Sequence, residues 1–239
     1  VDGWVRAPQV SVFLRDPGRL MRLFLMVQQR GLSMHPDLIH RLRELVSLSN
    51  DDFRRNPLVR DTFLDILHQR GAVAPILRIM HETGLLGDYL PEFGKLTCLV
   101  QHEFFHRYTA DEHTLVCIEE LDKVWQAKEL PYSQFEEIFQ KIENPHILYL
   151  ALLLHDVGKG ARFKGKHDEA STVMAEGVAD RMGLDEVDKE LLVFLVENHL
   201  YLFQVATQKD VYSSAVIPEV ANHIETPERM NLIFLLSFA

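Results

Sequence analysis

The stretch Asn144-Pro145-His146-Ile147-Leu148-Tyr149-Leu150-Ala151-Leu152-Leu153-Leu154-His155-Asp156-Val157-Gly158 decides how this chain is read. Asn144-Pro145 is a helix start, because proline's fixed φ suits the first helical turn and its missing N–H is not needed there. The apolar run 147–154 is far short of the roughly 20 residues that span a bilayer. It suits a helix buried on every side. His155 and Asp156 then appear where that helix ends, so an imidazole and a carboxylate can both face a dry cavity. That pair suits Zn²⁺, Mn²⁺, Fe or Ni²⁺ better than Ca²⁺. The dipeptide alone is weakly diagnostic, and its surroundings carry the rest.

Helix punctuation continues in both directions. Upstream, Asp16-Pro17 opens a helix with Leu20, Leu23, Phe24 and Val27 at helical spacing, ending at Gly31. Pro36 starts another, with Ile39, Leu42, Leu45 and Val46 on one stripe, and Asn56-Pro57 starts a third that ends at Gly71. Residues 73–83 form a further helix with Gly84 as its C-terminal cap. The stretch 85–108 is broken by Gly87, Pro91 and Gly94. Thr109 with Glu112, and Ser133 with Glu136, read as capping boxes. Downstream, a helix over 168–182 closes at Gly183, Asp185 caps a long helix carrying Leu191, Leu192, Leu195, Val196 and His199, and Thr226-Pro227 starts the last. Period-2 alternation is almost absent. The expectation is an all-α fold: an N-terminal helical layer over residues 1–100 and a helical bundle over 101–239.

Composition narrows the chemistry. Hydrophobic residues at 47% and charged residues at 25% are an ordinary globular balance, so a packed core is expected. A net charge of −10 speaks against broad contact with a nucleic-acid backbone. No run is long enough for a membrane span. Cys98 and Cys117 form no CxxC pair, which fits a reducing, cytoplasmic setting. An acidic protein that handles phosphate needs local positive charge, and a bound divalent cation supplies it.

The 12 histidines point to where that cation sits. His113 lies in the first turn of one helix, His167 opens the helix after the His155-Asp156 turn, and His199 belongs to a later apolar helix. Such residues at helix ends and inner faces resemble the inward-projecting ligand sets of helical bundles. Singly, each is more readily a hydrogen-bonded core or surface histidine. Lys159, between Gly158 and Gly160, is placed to offset phosphate charge, with the glycines letting backbone approach a ligand; a solvated lysine is the plain alternative. Lys164 and Lys166 add to the same basic lip, and the polar run 207–210, with Lys209, is a candidate rim of the substrate mouth. His102-Glu103-Phe104-Phe105-His106 matches the HExxH signature of zinc peptidases. A helix start at Thr109 interrupts the long helix that motif needs, so the peptidase reading is set aside.

The set His113, His155-Asp156, His167, His199 resembles the HD-domain metal phosphohydrolases. The blocks Phe53-Arg54-Arg55-Asn56-Pro57, Leu86-Gly87-Asp88-Tyr89-Leu90-Pro91-Glu92-Phe93-Gly94 and Tyr108-Thr109-Ala110-Asp111-Glu112-His113-Thr114 are similar to the central region of the bifunctional uridylyltransferase/uridylyl-removing enzymes of bacterial nitrogen signalling. The resemblance runs from about Asp16 onward. It implies an HD-domain bundle that releases UMP from a uridylylated tyrosine of the PII signal protein, with glutamine promoting removal through domains outside this chain. It implies metal ligands His113, His155 and Asp156, an aspartate directly after Ala239, and a second ion, bridged by Asp156, at His167 and His199. Asp156 and Lys159 become the catalytic pair, and Lys159, Lys166 and Lys209 the substrate contacts. The cofactor is one or two divalent ions among Mn, Fe, Zn, Ni and Mg. The chain departs from the pattern at Asn198, where many relatives have histidine, and it ends one residue before the expected aspartate. Without the nucleotidyltransferase domain that residues 1–100 would link to, or the small-molecule-sensing ACT domains that the resemblance implies, it reads as an excised fragment. The alternatives are an HD phosphohydrolase of free nucleotides or second messengers, and a degenerate HD regulatory module.

Overall fold

The computed structural model describes residues 3–7, 9–100, 108–161, 167–211 and 213–239. The N-terminal layer contains α1 (Ser11–Arg15), α2 (Gly18–Gln29), α3 (Pro36–Glu44), α4 (Asp51–Arg55), α5 (Pro57–Leu67), α6 (Val73–Thr83) and two short helices, α7 (Leu85–Tyr89) and α8 (Pro91–Gly94). The last two occupy the stretch that glycine and proline break. The remainder contains α9 (Ala110–Val124), α10 (Ser133–Gln140), α11 (Pro145–Leu154), α12 (His167–Met182), α13 (Glu186–Glu197), α14 (Tyr201–Gln208), α15 (Val216–Ile224) and α16 (Pro227–Phe238). A two-residue parallel pairing, β1 (Trp4–Val5) with β2 (Ser33–Met34), is the only sheet among the described residues. The fold is all-α.

Local chemistry explains most boundaries. The side chains of Asn56, Asp185 and Thr226 accept from the backbone N–H of Leu58, Asp188 and Arg229, satisfying donors that a helix start leaves open. Gly84 caps α6 in the left-handed region at φ +86°. Two expected capping boxes do not form. Thr109 makes no side-chain cap bond; its hydroxyl goes to Asp111, and Glu112 pairs with Arg78 of α6, a charged partner that outcompetes its own helix start. Ser133 sits inside α10 with its N–H bonded to the Glu129 carbonyl, so no cap is needed, and Glu136 accepts from Gln140 instead.

α11 is the centre of the molecule. All ten of its residues are buried, and α5, α9, α12, α13 and α16 pack around it. The two sequence regions share one hydrophobic core that runs from Phe13 to Leu236. α6 packs on α9 and α5 on α11, so the N-terminal layer covers faces that would otherwise expose leucine and isoleucine. Polar ties cross the same junction. Asp122 of α9 accepts from the Tyr149 hydroxyl of α11 at 2.5 Å and from the Ala74 N–H at the start of α6 at 2.7 Å. Arg181 of α12 makes a two-pronged ion pair with Glu92 of α8, both contacts at 2.8 Å.

Candidate metal centre

His155 caps the C-terminal end of α11, so the helix that buries its whole surface also delivers this ring into the interior. Its Nδ1 lies 2.7 Å from the Leu152 carbonyl, an acceptor left over in the last helical turn. A carbonyl can only accept, so Nδ1 carries the hydrogen and Nε2 is the ligand nitrogen. That Nε2 is 3.2 Å from Asp156 Oδ2, and the Nε2 of His113, from the first turn of α9, is 3.8 Å from the same oxygen. One ligand atom from each of His113, His155 and Asp156 lies within 4.8 Å of the other two.

Electrostatics reinforce the grouping. Burial disfavours a charged His155, but the Asp156 carboxylate beside it outweighs burial and raises its pKa above the ordinary histidine value. Burial likewise works against the Asp156 carboxylate, yet His155 and Lys159 together hold its pKa far below the usual carboxylate range. Lys159 donates to Asp156 Oδ2 at 2.8 Å. A proton and an ammonium therefore surround the carboxylate where a divalent cation would sit. Two imidazoles, one of them with its tautomer fixed by Leu152, and one buried, ionised carboxylate are a donor set that fits a borderline transition metal.

His199 lies near this trio but is presented differently from the sequence expectation. α13 stops at Glu197, so His199 sits in the turn after the helix rather than on its face. Its Nδ1 lies 2.8 Å from the Val196 carbonyl, and its ring centroid is 5.3 Å from that of His155. Burial, then the neighbouring His155, lowers its pKa, which favours the neutral, ligating form. His113, His155 and His199 open onto one cavity of about 320 Å³, walled also by Cys117, Leu200, Phe203 and the end of α16.

Other candidates scatter. His167 opens α12 as expected, but it is exposed, with Nδ1 3.4 Å from the Gly158 carbonyl, and is not among the converging ligand atoms. Lys209 is half-buried, away from the converging ligand atoms, and paired with Glu219. Lys164 and Lys166 lie outside the described residues, as do His102 and His106 of the HExxH match. The glycines beside Lys159 admit protein, not ligand. A Cβ on Gly158 would stand 2.0 Å from the His167 carbonyl oxygen, and one on Gly160 would stand 2.8 Å from Lys95 Cβ. Cys117 was missed by sequence reasoning, although its place four residues after His113 puts it on the same helix face. Its Sγ is 3.8 Å from both His113 ring nitrogens, and burial, with Asp156 next in effect, pushes its pKa up to about 12.

Known proteins resemble this chain along nearly its whole length. Residues 1–89 match the family model described as "Uridylyltransferase GlnD third domain" and residues 121–230 match that of the HD domain. His155, Asp156, Lys159, His167 and His199 fall inside the second span, and His113 lies between the two. Proteins named bifunctional uridylyltransferase/uridylyl-removing enzyme are similar along nearly the whole chain. That of Rhodopseudomonas palustris is 34% identical over 231 residues, 96% of this chain and 24% of the relative. That of Azotobacter vinelandii is 33% identical over 241 residues, 100% of this chain and 27% of the relative. That of Pseudomonas fluorescens is 36% identical over 245 residues, 99% of this chain and 26% of the relative. The chain thus spans about a quarter of the length of the curated relatives it matches. No helix among the described residues is long and apolar enough to cross a membrane.

Proposed function

Because this chain belongs to the HD-domain family of the uridylyltransferase/uridylyl-removing enzymes, we propose that it carries the uridylyl-removing centre, which hydrolyses a tyrosyl–UMP phosphodiester on the PII signal protein. Water adds to phosphorus, the bond from phosphorus to the tyrosyl oxygen breaks, and UMP and the free phenol leave. The observation that carries this reading is the convergence of His113, His155 and Asp156 on one ligand position beside an open cavity.

His113, His155 and Asp156 would hold a divalent cation, with manganese, iron, zinc, nickel and magnesium as the candidates. When bound it supplies Lewis acidity to the phosphoryl oxygen and to the attacking water. The remaining work belongs to the chain. Leu152 fixes the His155 tautomer, and Val196 does the same for His199. His199 would present an unprotonated Nε2 to the cavity, able to accept a hydrogen bond from the attacking water or to hold a second cation. Lys159, which donates to Asp156 Oδ2, would offset the negative charge of a phosphate held beside that carboxylate. Lys166, Lys209 and His167 are assigned to the approach of the substrate rather than to the reacting atoms. The N-terminal layer, residues 1–100, links this centre to a nucleotidyltransferase domain, and glutamine acts through domains beyond this chain.

The test is UMP release from uridylylated PII in the presence of Mn²⁺, comparing the native sequence with a His155→Ala, Asp156→Ala double variant. Release should fall by more than about 100-fold, beyond what loss of an outer hydrogen-bond partner causes. Undiminished release by the double variant rules the assignment out.

A further inference from the structure

The turn that presents His199 is gripped from outside by α15. We propose that His223, on α15, is a positioning residue for His199 and acts through Asn198; the functional weight of this rests on His199 belonging to the hydrolytic cavity. Asn198 is the buried C-terminal cap of α13, and its Nδ2 donates to the Phe194 carbonyl at 2.9 Å. That contact fixes the amide orientation, so Oδ1 is the atom 2.6 Å from His223 Nε2. An amide oxygen only accepts, so His223 carries hydrogen on Nε2. The Tyr201 ring stacks on the His223 imidazole with centroids 4.1 Å apart, and the Tyr201 N–H donates to the Asn198 carbonyl at 2.8 Å. Residues 198 and 201 therefore bracket His199, and both lean on one side chain.

The rest of α15 is thinly held. Ile224 is its one buried residue, so a short hydrogen bond from this helix to a buried amide is out of proportion to its other packing. Losing the donor would leave Asn198 Oδ1 buried without a partner, and the turn would have to open to hydrate it. The His199 ring would then lose its aim, because its Nδ1 bond to Val196 depends on the same three-residue turn.

The test separates hydrogen bonding from packing. His223→Phe keeps a ring for Tyr201 to stack on and removes the donor. His223→Gln keeps a donor, and Asn222→Ala is a control on the exposed side of α15. ¹⁵N NMR of the His199 imidazole reads its tautomer directly, without any need for turnover. His223→Phe should replace the single Nδ1–H signature of His199 with exchange-averaged shifts and lower kcat/KM for UMP release roughly tenfold. Mn²⁺ affinity should stay within about twofold of the native value, because His113, His155 and Asp156 are held by other contacts. His223→Gln and Asn222→Ala should resemble the native protein. An unchanged His199 signature in His223→Phe, or equal perturbation by His223→Gln, overturns the proposal. If UMP release is absent in every form, the proposed function fails while the imidazole shifts still decide the positioning role.

Discussion

At His155 a proton and a divalent cation compete for one nitrogen. Nδ1 is committed to Leu152, so only Nε2 is open, and the Asp156 carboxylate keeps that nitrogen protonated to higher pH than an ordinary histidine. Metal binding must displace the proton, so affinity should weaken as pH falls through the raised pKa. Calorimetric titration with Mn²⁺ at pH 8 and pH 6 should show this, and equal affinities would contradict it. In Asp156→Asn the attraction that lifts His155 is gone and burial dominates, so its pKa should drop below the usual histidine value, readable by NMR titration. His155 and Asp156 were legible because they interrupt an apolar run. The function of Gly158 was not, since a glycine's need for space looks the same whether ligand or protein fills it.

Among the elements, the turn between α11 and α12 is the least tolerant. A methyl group on Gly158 meets backbone atoms on the facing side, the His167 oxygen at 2.0 Å and the Ser171 nitrogen at 2.7 Å. Gly158→Ala should therefore cost about 3 kcal/mol, the upper range for overpacking; a change under about 1 kcal/mol in urea unfolding would show that the turn can shift. Asp122 behaves oppositely to a surface carboxylate. Burial raises its pKa to about 6, against the bonds it accepts from Tyr149 and backbone N–H groups. A raised carboxyl pKa means its protonated form favours the fold, so its contribution is complete below about pH 4 and is lost as pH rises through about 6. The loss is roughly 3 kcal/mol at most. The stability gap between native protein and Asp122→Asn should shift by that order across the window, and a flat gap would refute it. Helix starts whose caps act locally, such as Asn56, Asp185 and Thr226, were readable in sequence. The starts at Thr109 and Ser133 were readable too, but their side-chain capping was not, because a tertiary partner claimed Glu112 and preceding backbone satisfied Ser133.

Across the whole molecule, the boundary near residue 100 separates sequence regions but not cores. α5 and α6 cover α11 and α9, and Glu92 holds Arg181 in a two-pronged pair. Residues 101–239 expressed alone should aggregate or melt well below the complete chain, as followed by circular dichroism; equal melting temperatures would mark the layer as dispensable. Helical periodicity showed which faces were apolar, yet it could not say that one face of α11 would meet α5, because such pairings are set by chain closure over long separations. Leu152 and Val196 carry a broader implication. Each lends a terminal carbonyl to the imidazole three residues on, and the two rings come to rest 5.3 Å apart. The chemistry of this pair is thus encoded in where two helices stop, which makes it portable: any scaffold whose helix ends converge at that spacing could acquire both tautomers by grafting two histidines, with no outer carboxylates to transplant.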